Sequence, residues 1–533
     1  MNVFFLYERA CAILLDTSRI SLMSRIGSCA IAVAALSLGS ARVAKAGPLV
    51  DPSRVRCQLA EFEAFVVHTQ ARTGVPGLSI AVVAGDEVVY LKGFGVRQVG
   101  KAGAVSGDTV FQLASVSKPV ASTVVAGLVG RGAVQWDDRI VALIPGFQMS
   151  DPDTTSRVTV RDMLCHRSGL PEFAGDVLVD VGFSRHELIR RTRFIALGAP
   201  VGTHYAYSNV GYTIGAAAAA RPTGKAWEDV SESVLYRPLG MKATSSRYAD
   251  YLAAPDRAVG HVREGGAWVP RTPNDDDAEA PAGGASSTAR DMAKFLRLHL
   301  RDGQFGGKTV IAAAALAETR RPQIVISPGD PPGYYGLGWN VSTDAKGRAR
   351  INHSGAFNSG AATVISMIPS EDVGIVVLTN SFPIGVPEAV AASFFDLVFE
   401  GAITCDWVAL YGQVFDDFWE AIIDRYPVYP PPPVPPVPAR PLAFYAGTYA
   451  NDLYGCVEVV PAGRGLDLRL GPKRVTYPLR HYDGDTFTFL PVAENAYTVS
   501  GAHFAFGRRG PATGVTIDYY NLEGQGTLTR VGR

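Results

Sequence analysis

A run of prolines constrains this chain more than any other feature. From Tyr429 the sequence reads Pro430-Pro431-Pro432-Pro433-Val434-Pro435-Pro436-Val437-Pro438 and reaches Pro441. Proline fixes φ and carries no backbone N–H, so such a run joins neither a helix interior nor a central strand; polyproline geometry and a semi-rigid spacer are predicted. A ligand for a polyproline-reading partner is the functional alternative. The chain is therefore expected to fold as a body over residues 47–425, a linker over 426–441 and a tail over 442–533. With about 380 and about 90 residues, body and tail have sizes compatible with separate domains.

The N-terminus reads as an export signal occupying residues 1–46. Met23 is followed by Ser24-Arg25, an apolar run from Ile26 to Leu38, and Ala44-Lys45-Ala46 ahead of Gly47. A short cationic start, an apolar run and a small-x-small site are the marks of a cleaved leader, and the run is short for a membrane span. Translation is expected to begin at Met23 and the product to be periplasmic or secreted; an ordinary buried helix is the alternative. Cys11 and Cys29 would leave with the leader. Cys57, Cys165, Cys405 and Cys456 form no Cys-x-x-Cys pair, which argues against a metal site, while export would permit one or two disulfides. Lys plus Arg and Asp plus Glu number 50 each, so no excess of basic charge points to nucleic acid or an anionic membrane surface.

The body mixes strand and helix signals. Leu78–Ala84 and Val88–Leu91 are apolar runs joined through Gly85-Asp86, a hairpin pattern. Pro119–Arg131 reads as a helix with proline in its first turn. Ser287–Arg301 carries Met292, Phe295, Leu296 and His299 at helical spacing. Thr363–Ile368 and Gly374–Thr379 read as strands across a turn at Pro369–Asp372. An antiparallel sheet covered by helices, an α+β fold, follows. In the tail, Val457–Val460, Leu466–Leu470, Thr486–Phe489 and Thr516–Tyr520 are short segments between Gly and Asp turns, the pattern of a small antiparallel barrel.

The chemistry concentrates at Ser115-Val116-Ser117-Lys118, at the mouth of the helix near Pro119. A three-residue step puts the Ser115 hydroxyl and the Lys118 amine on one helical face. Free N–H groups of a helix start favour a developing oxyanion. A serine hydroxyl needs a neighbouring base, and a desolvated lysine fills that role or tunes another group that does. Chance alone supplies about one or two Ser-x-x-Lys in this length, so the neighbours carry the argument.

Phe111-Gln112-Leu113-Ala114-Ser115-Val116-Ser117-Lys118 resembles the nucleophile segment of the serine β-lactamase and penicillin-binding-protein superfamily, in particular its class C β-lactamase, D-aminopeptidase and esterase group. In the same order come Val158–Pro171 with its Cys165-His166-Arg167-Ser168-Gly169-Leu170-Pro171, then Tyr207-Ser208-Asn209, then Pro238-Leu239-Gly240-Met241. Ala282-Gly283-Gly284-Ala285, Tyr335-Gly336-Leu337-Gly338-Trp339 and His353-Ser354-Gly355 follow. The resemblance spans about residues 75–400, a length that suits a two-part fold. It implies a sheet with a helical subdomain, Ser115 as acylated nucleophile, Lys118 as its partner and Tyr207 as, or sharing, the general base. Asn209 and His353 would bind substrate. Gly355 belongs to the third motif, and the backbone N–H groups of Ser115 and Ala356 would form the oxyanion hole. Phe444–Tyr449, Asp452–Gly455 and Leu479–Tyr482 resemble the lipocalin-like domain appended to some of these hydrolases, which would narrow the entrance, mediate assembly or bind an apolar ligand.

His166 is expected to be a structural hydrogen-bonder beside the site. The other Tyr-x-Asn occurrences, Tyr449-Ala450-Asn451 and Tyr519-Tyr520-Asn521, are expected to be strand tyrosines. Asp275-Asp276-Asp277 is expected to be a solvated loop. No Gly-x-Ser-x-Gly and no His-Glu-x-x-His occurs, so neither the α/β-hydrolase elbow nor a zinc protease is indicated, and no cofactor or metal is expected. The expectation is a serine hydrolase that forms an acyl-enzyme on a small amide or ester, with D-residue peptides and simple esters ahead of β-lactams. The alternative is a non-catalytic penicillin-binding-like scaffold. Its partner is a small-molecule substrate, no nucleic acid and no integral span after leader removal; a homo-oligomer is compatible.

Overall fold

The computed structural model describes residues 50–344 and 346–531. The expected leader and its start at Met23 lie outside the described residues.

The body is built on eight antiparallel strands. In chain order they are β1 Gly77–Ala84, β2 Glu87–Gly95, β3 Ile324–Ser327, β4 Gly333–Tyr335, β5 Asn340–Thr343, β6 Ala349–Phe357, β7 Ala361–Ile368 and β8 Val373–Thr379. Across the sheet they run β2-β1-β8-β7-β6-β5-β4-β3, so the first hairpin docks beside the last strand. Registers such as Ile80 opposite Val377 and Gly355 opposite Thr363 fix the pleat. Both faces are covered, which explains why the central strands are apolar throughout rather than alternating.

Helices supply the two covers. On one face α1 (Pro52–Thr73) and α5 (Val386–Glu400) bury Phe62, Val66, Val390 and Phe394 against Leu78, Ile80, Val82, Ile375 and Val377. The opposite residues, Ala81, Val83, Val376 and Leu378, belong to the larger core. That core continues through α2 (Ser117–Gly130), α3 (Asn209–Ala220) and α4 (Ala289–Leu300), with Met292, Phe295 and Leu296 on the sheet-facing side of α4. A further helix, α6 (Trp407–Ile423), lies outside the sequence expectations; it buries Val414, Phe415, Phe418 and Ile422.

The tail is a closed barrel of eight antiparallel strands running from Gly447–Asn451 to Thr527–Arg530. Its inside is filled by alternate residues, among them Tyr449, Val457, Leu468, Phe487, Phe504 and Leu528, all buried. The segment read as a strand over Thr516–Tyr520 is corrected: the strand ends at Ile517 and Asp518–Tyr520 form a 3-10 turn. Tyr519 is thus no strand tyrosine; its ring leaves the ladder and its hydroxyl bonds Asp180 of the body at 2.6 Å.

The proline segment does not hang between the two parts. Tyr429 bonds His503 at 2.9 Å and also the Asp518 carboxylate. The Val437 N–H donates to Asp483 at 2.7 Å and the Arg440 N–H to Tyr445 at 2.8 Å. The linker is a strap laid on the barrel. No disulfide joins Cys57, Cys165, Cys405 and Cys456 to one another, and among the described residues no helix is long and apolar enough to cross a membrane.

Candidate functional site

Ser115 sits on a tight 3-10 turn, Ala114–Val116, that runs directly into α2. Ala114 is forced to φ 47°, left-handed territory that costs a non-glycine residue about 1–3 kcal/mol. The turn lifts the serine into the cavity while Lys118, one turn on, points back beneath it. The Ser117 hydroxyl accepts the Ala285 N–H at 2.9 Å, pinning the Ala282–Ala285 segment against the turn.

Lys118 is fully buried, and its ammonium donates three hydrogen bonds: to Ser115 Oγ at 3.0 Å, to Asn209 Oδ1 at 2.7 Å and to the Ala282 carbonyl at 3.0 Å. Burial lowers its pKa from the ordinary lysine range to about 7, against the opposing charges of Glu279, Asp176 and Asp276. The Tyr207 hydroxyl donates to Ser115 Oγ at 2.8 Å from the other side. Burial drives the Tyr207 phenol well above its ordinary value, so it holds its proton as a donor. The Lys118 ammonium also lies 4.6 Å from the centre of the Tyr207 ring.

Local sequence explains how Tyr207 and Asn209 arrive there. Ser208 caps α3, its hydroxyl accepting the Gly211 N–H at 3.0 Å, so Asn209 becomes the first helical residue. The Tyr207 carbonyl accepts the Phe173 N–H at 2.9 Å. His166 lies against the Tyr207 ring, centroids 4.4 Å apart, and its Nδ1 accepts the Ser208 N–H at 3.1 Å. Asn209 turns its amide nitrogen to Asp176 at 2.7 Å, which orients the amide oxygen towards Lys118.

The third motif lies on β6, beside the nucleophile turn. A Cβ on Gly355 would stand 2.3 Å from the Leu113 carbonyl and 3.0 Å from the Ser115 N–H nitrogen, so only glycine lets the strand approach this closely. Ser115 and Ala356 both border the same cavity. His353 is buried, its Nδ1 at 2.7 Å from the Ser354 carbonyl and its Nε2 at 2.9 Å from the Tyr335 hydroxyl. A carbonyl only accepts, so Nδ1 carries the proton and Nε2 receives the tyrosine's. Burial, reinforced by Lys118, holds the imidazole neutral with a pKa of about 3. With both nitrogens engaged, it presents no further N–H to the cavity.

Several residues at the site escaped sequence reasoning. Asp276, expected in a solvated loop, is instead buried at the cavity wall, whereas its neighbours Asp275 and Asp277 are exposed. The turn at Asp277–Glu279 brings Asp276 and Glu279, three residues apart, to the buried side and leaves Asp277 exposed, which composition cannot reveal. Asp176 and Glu279 are buried in the same wall, and burial pushes all three carboxyls above their ordinary range. Phe415, Phe418, Trp419 and Ile422 from α6 form the apolar side; their three-and-four spacing is a legible helical signal. Glu494, Asn495 and Tyr497 come from the barrel. The Glu494 carboxylate accepts the N–H groups of Asn358 and Ser359, just beyond β6, so the tail closes the cleft on the catalytic side. The cavity, partly open to solvent, has a volume of about 140 Å³.

A family model described as Beta-lactamase matches residues 62–394, and one described as a domain of unknown function (DUF3471) matches residues 431–530. Penicillin-binding protein 4 of Amycolatopsis lactamdurans is 31% identical over 337 residues, 61% of this chain and 84% of its own. The Unguisins hydrolase ungD of Aspergillus violaceofuscus is 26% identical over 505 residues, 86% of this chain and 88% of its own. The D-alanyl-D-alanine-carboxypeptidase/endopeptidase AmpH of Escherichia coli K12 is 26% identical over 343 residues, 62% and 86% respectively. Among solved structures, the octameric penicillin-binding protein homologue from Pyrococcus abyssi aligns with a TM-score of 0.57 at 21% identity, covering 89% of this chain and all of that one.

Proposed function

Because this chain belongs to the beta-lactamase family of serine hydrolases, we propose that it hydrolyses a small amide or ester through an acyl-enzyme on Ser115. The observation that carries this is the Ser115 hydroxyl held between the Lys118 ammonium at 3.0 Å and the Tyr207 phenol at 2.8 Å. With its pKa lowered to about 7, Lys118 spends much of its time as a free amine near neutrality and takes the serine proton. Tyr207, which keeps its own proton until then, donates it to the leaving group and is reprotonated by the Lys118 ammonium, which holds the proton taken from the serine. A water then attacks the acyl-enzyme by the reverse relay. The N–H groups of Ser115 and Ala356 would stabilise the oxyanion.

The cavity favours small acyl groups. Its 140 Å³ is nearer the size that holds one benzene ring than the several hundred Å³ of ordinary ligand clefts. D-residue amides and simple esters therefore rank above bicyclic β-lactams in this proposal. Export to the periplasm or beyond belongs to it too, supported by the leader-like residues 24–46.

The test is labelling by a fluorophosphonate followed by peptide mapping, with short-chain esters, D-aminoacyl amides and nitrocefin as substrates. Label at Ser115 is expected, with turnover abolished in Ser115→Ala and reduced about 1,000-fold or more in Lys118→Ala. A folded Ser115→Ala protein with near-normal turnover refutes the mechanism.

A further inference from the structure

The cavity wall carries more carboxyl groups than the Ser115 relay uses. Glu172, Asp176, Asp180, Asp276, Glu279 and Glu494 all border it, and among the described residues no lysine or arginine does. Lys118 lies beneath the floor with its three ammonium donors already committed. His353 is neutral with its one N–H committed.

These carboxylates are not equally occupied. Asp180 accepts from the Asn495 N–H at 3.0 Å and the Tyr519 hydroxyl at 2.6 Å, and Glu494 accepts two backbone N–H groups, so these two hold the barrel in place. Asp176 Oδ1 and Glu279 Oε1 have no hydrogen-bond partner among the described residues, although their residues are only 3% and 4% exposed. Burying a carboxylate oxygen without a donor is costly. Phe418 and Trp419 of α6 and Tyr497 of the barrel border the same cavity. The site thus pairs unfilled acceptors with an apolar wall in a space about one ring wide.

We propose that Asp176 and Glu279 form a subsite for a positively charged group on the acyl donor, a primary ammonium next to an apolar side chain, and that the same wall repels acyl donors carrying a carboxylate. An ammonium brings three donors for the two orphaned oxygens, and its hydrocarbon neighbour would meet the apolar residues of α6 that border the same cavity. Burial raises the pKa of Asp176, Asp276 and Glu279, and a cation bound beside them would favour their charged forms. A carboxylate in the same place would meet further acceptors and no lysine or arginine. This inference rests on the Ser115 hydrolase reading and narrows its substrate class.

The experiment uses the full chain and three probes of similar shape and different charge: 2-phenylethylamine, 2-phenylethanol and 3-phenylpropionate. Each competes with an uncharged fluorophosphonate for Ser115 at pH 7.5. The amine is expected to protect at a concentration at least about fivefold lower than the alcohol, and the carboxylate more weakly than the alcohol. In Glu279→Gln the amine's advantage is expected to fall by about half or more; if that variant does not fold, Asp176→Asn is read by the same ratio. A smaller amine advantage, a carboxylate that protects as well as the alcohol, protection by none of the three, or an advantage untouched by the variant overturns the subsite while Ser115 labelling leaves the hydrolase reading standing. Absence of labelling removes the hydrolase reading, and the subsite with it.

Discussion

Gly355→Ala isolates the contact between β6 and the nucleophile turn. Gly355 lies in an extended strand, so alanine meets no backbone penalty there and the effect is steric alone. The added methyl would stand 2.3 Å from the Leu113 carbonyl oxygen, 2.4 Å from Thr363 Oγ1 and 3.0 Å from the Ser115 nitrogen. Ordinary separation for such atoms is about 3.5 Å, so the strand and the turn must part by roughly 1 Å. They are also tied by the Thr363 hydroxyl, which donates to the Leu113 carbonyl at 2.7 Å, so the displacement stretches a buried bond. Overpacking of this kind costs about 1–3 kcal/mol of stability. The larger consequence is catalytic, because the N–H groups of Ser115 and Ala356 must address one oxygen, and misplacement by 1 Å costs about 100-fold in rate. The assay is the second-order rate of Ser115 labelling by a fluorophosphonate, read beside a urea unfolding curve. Labelling within about threefold of the parent, with an unchanged midpoint, would refute the claim that this close approach builds the site.

The remaining predictions concern separate parts of the molecule. Gly412→Ala in α6 places a methyl where nothing lies within 4 Å, so stability should rise by about 0.5–1 kcal/mol in urea unfolding with Ser115 labelling unchanged. Labelling by an uncharged reagent should climb with pH through about 7, because the active form needs Lys118 as a free amine and its pKa sits there; the rate should fall about tenfold per unit below that value, and a flat profile from pH 5 to 9 would contradict it. Arg191→Met removes the donors to the Asp452 and Leu453 carbonyls of the barrel, held at 2.8 and 2.5 Å. Unfolding should be easier by about 1.5–3 kcal/mol, read from urea titration.

What the sequence disclosed, and what it hid, divides by distance along the chain. Ser115 and Lys118 were legible because helical geometry dictates their meeting. Asn209 was placed by a capping serine one residue away. The apolar runs of β1, β7 and β8 were legible because both faces of that sheet are covered. Asp276 was not, because three successive aspartates look solvated until a single turn rotates the middle one inward. Glu494 was invisible for a different reason: its role depends on a barrel loop meeting residues 358 and 359, across 136 positions of sequence. The barrel segment ending in Tyr519-Tyr520 looked like continued strand because aromatics suit strands, yet the demand of the Asp180 carboxylate for a donor turned Tyr519 out of the ladder.

The proline strap connects these observations. A flexible linker would have to lose backbone freedom, about 1–2 kcal/mol per residue, to be laid along the barrel as residues 429–440 are. Prolines enter the folded state with φ already fixed, so much of that loss is absent. The saving matters because the barrel's hold on the body is local: Arg191 on two carbonyls, Asp180 on Tyr519 and Asn495, Glu494 on two N–H groups, and Tyr497 and Leu522 packed against Phe418 and Trp419 of α6. Contacts of this kind are each modest in net strength, and they close the catalytic cavity only while the barrel stays near. A pre-stiffened strap keeps its effective concentration high, so these few contacts suffice to keep Glu494, Asn495 and Tyr497 in the wall around Ser115. On this view the same prolines that divide the sequence in two make the enclosed site a property of both parts together.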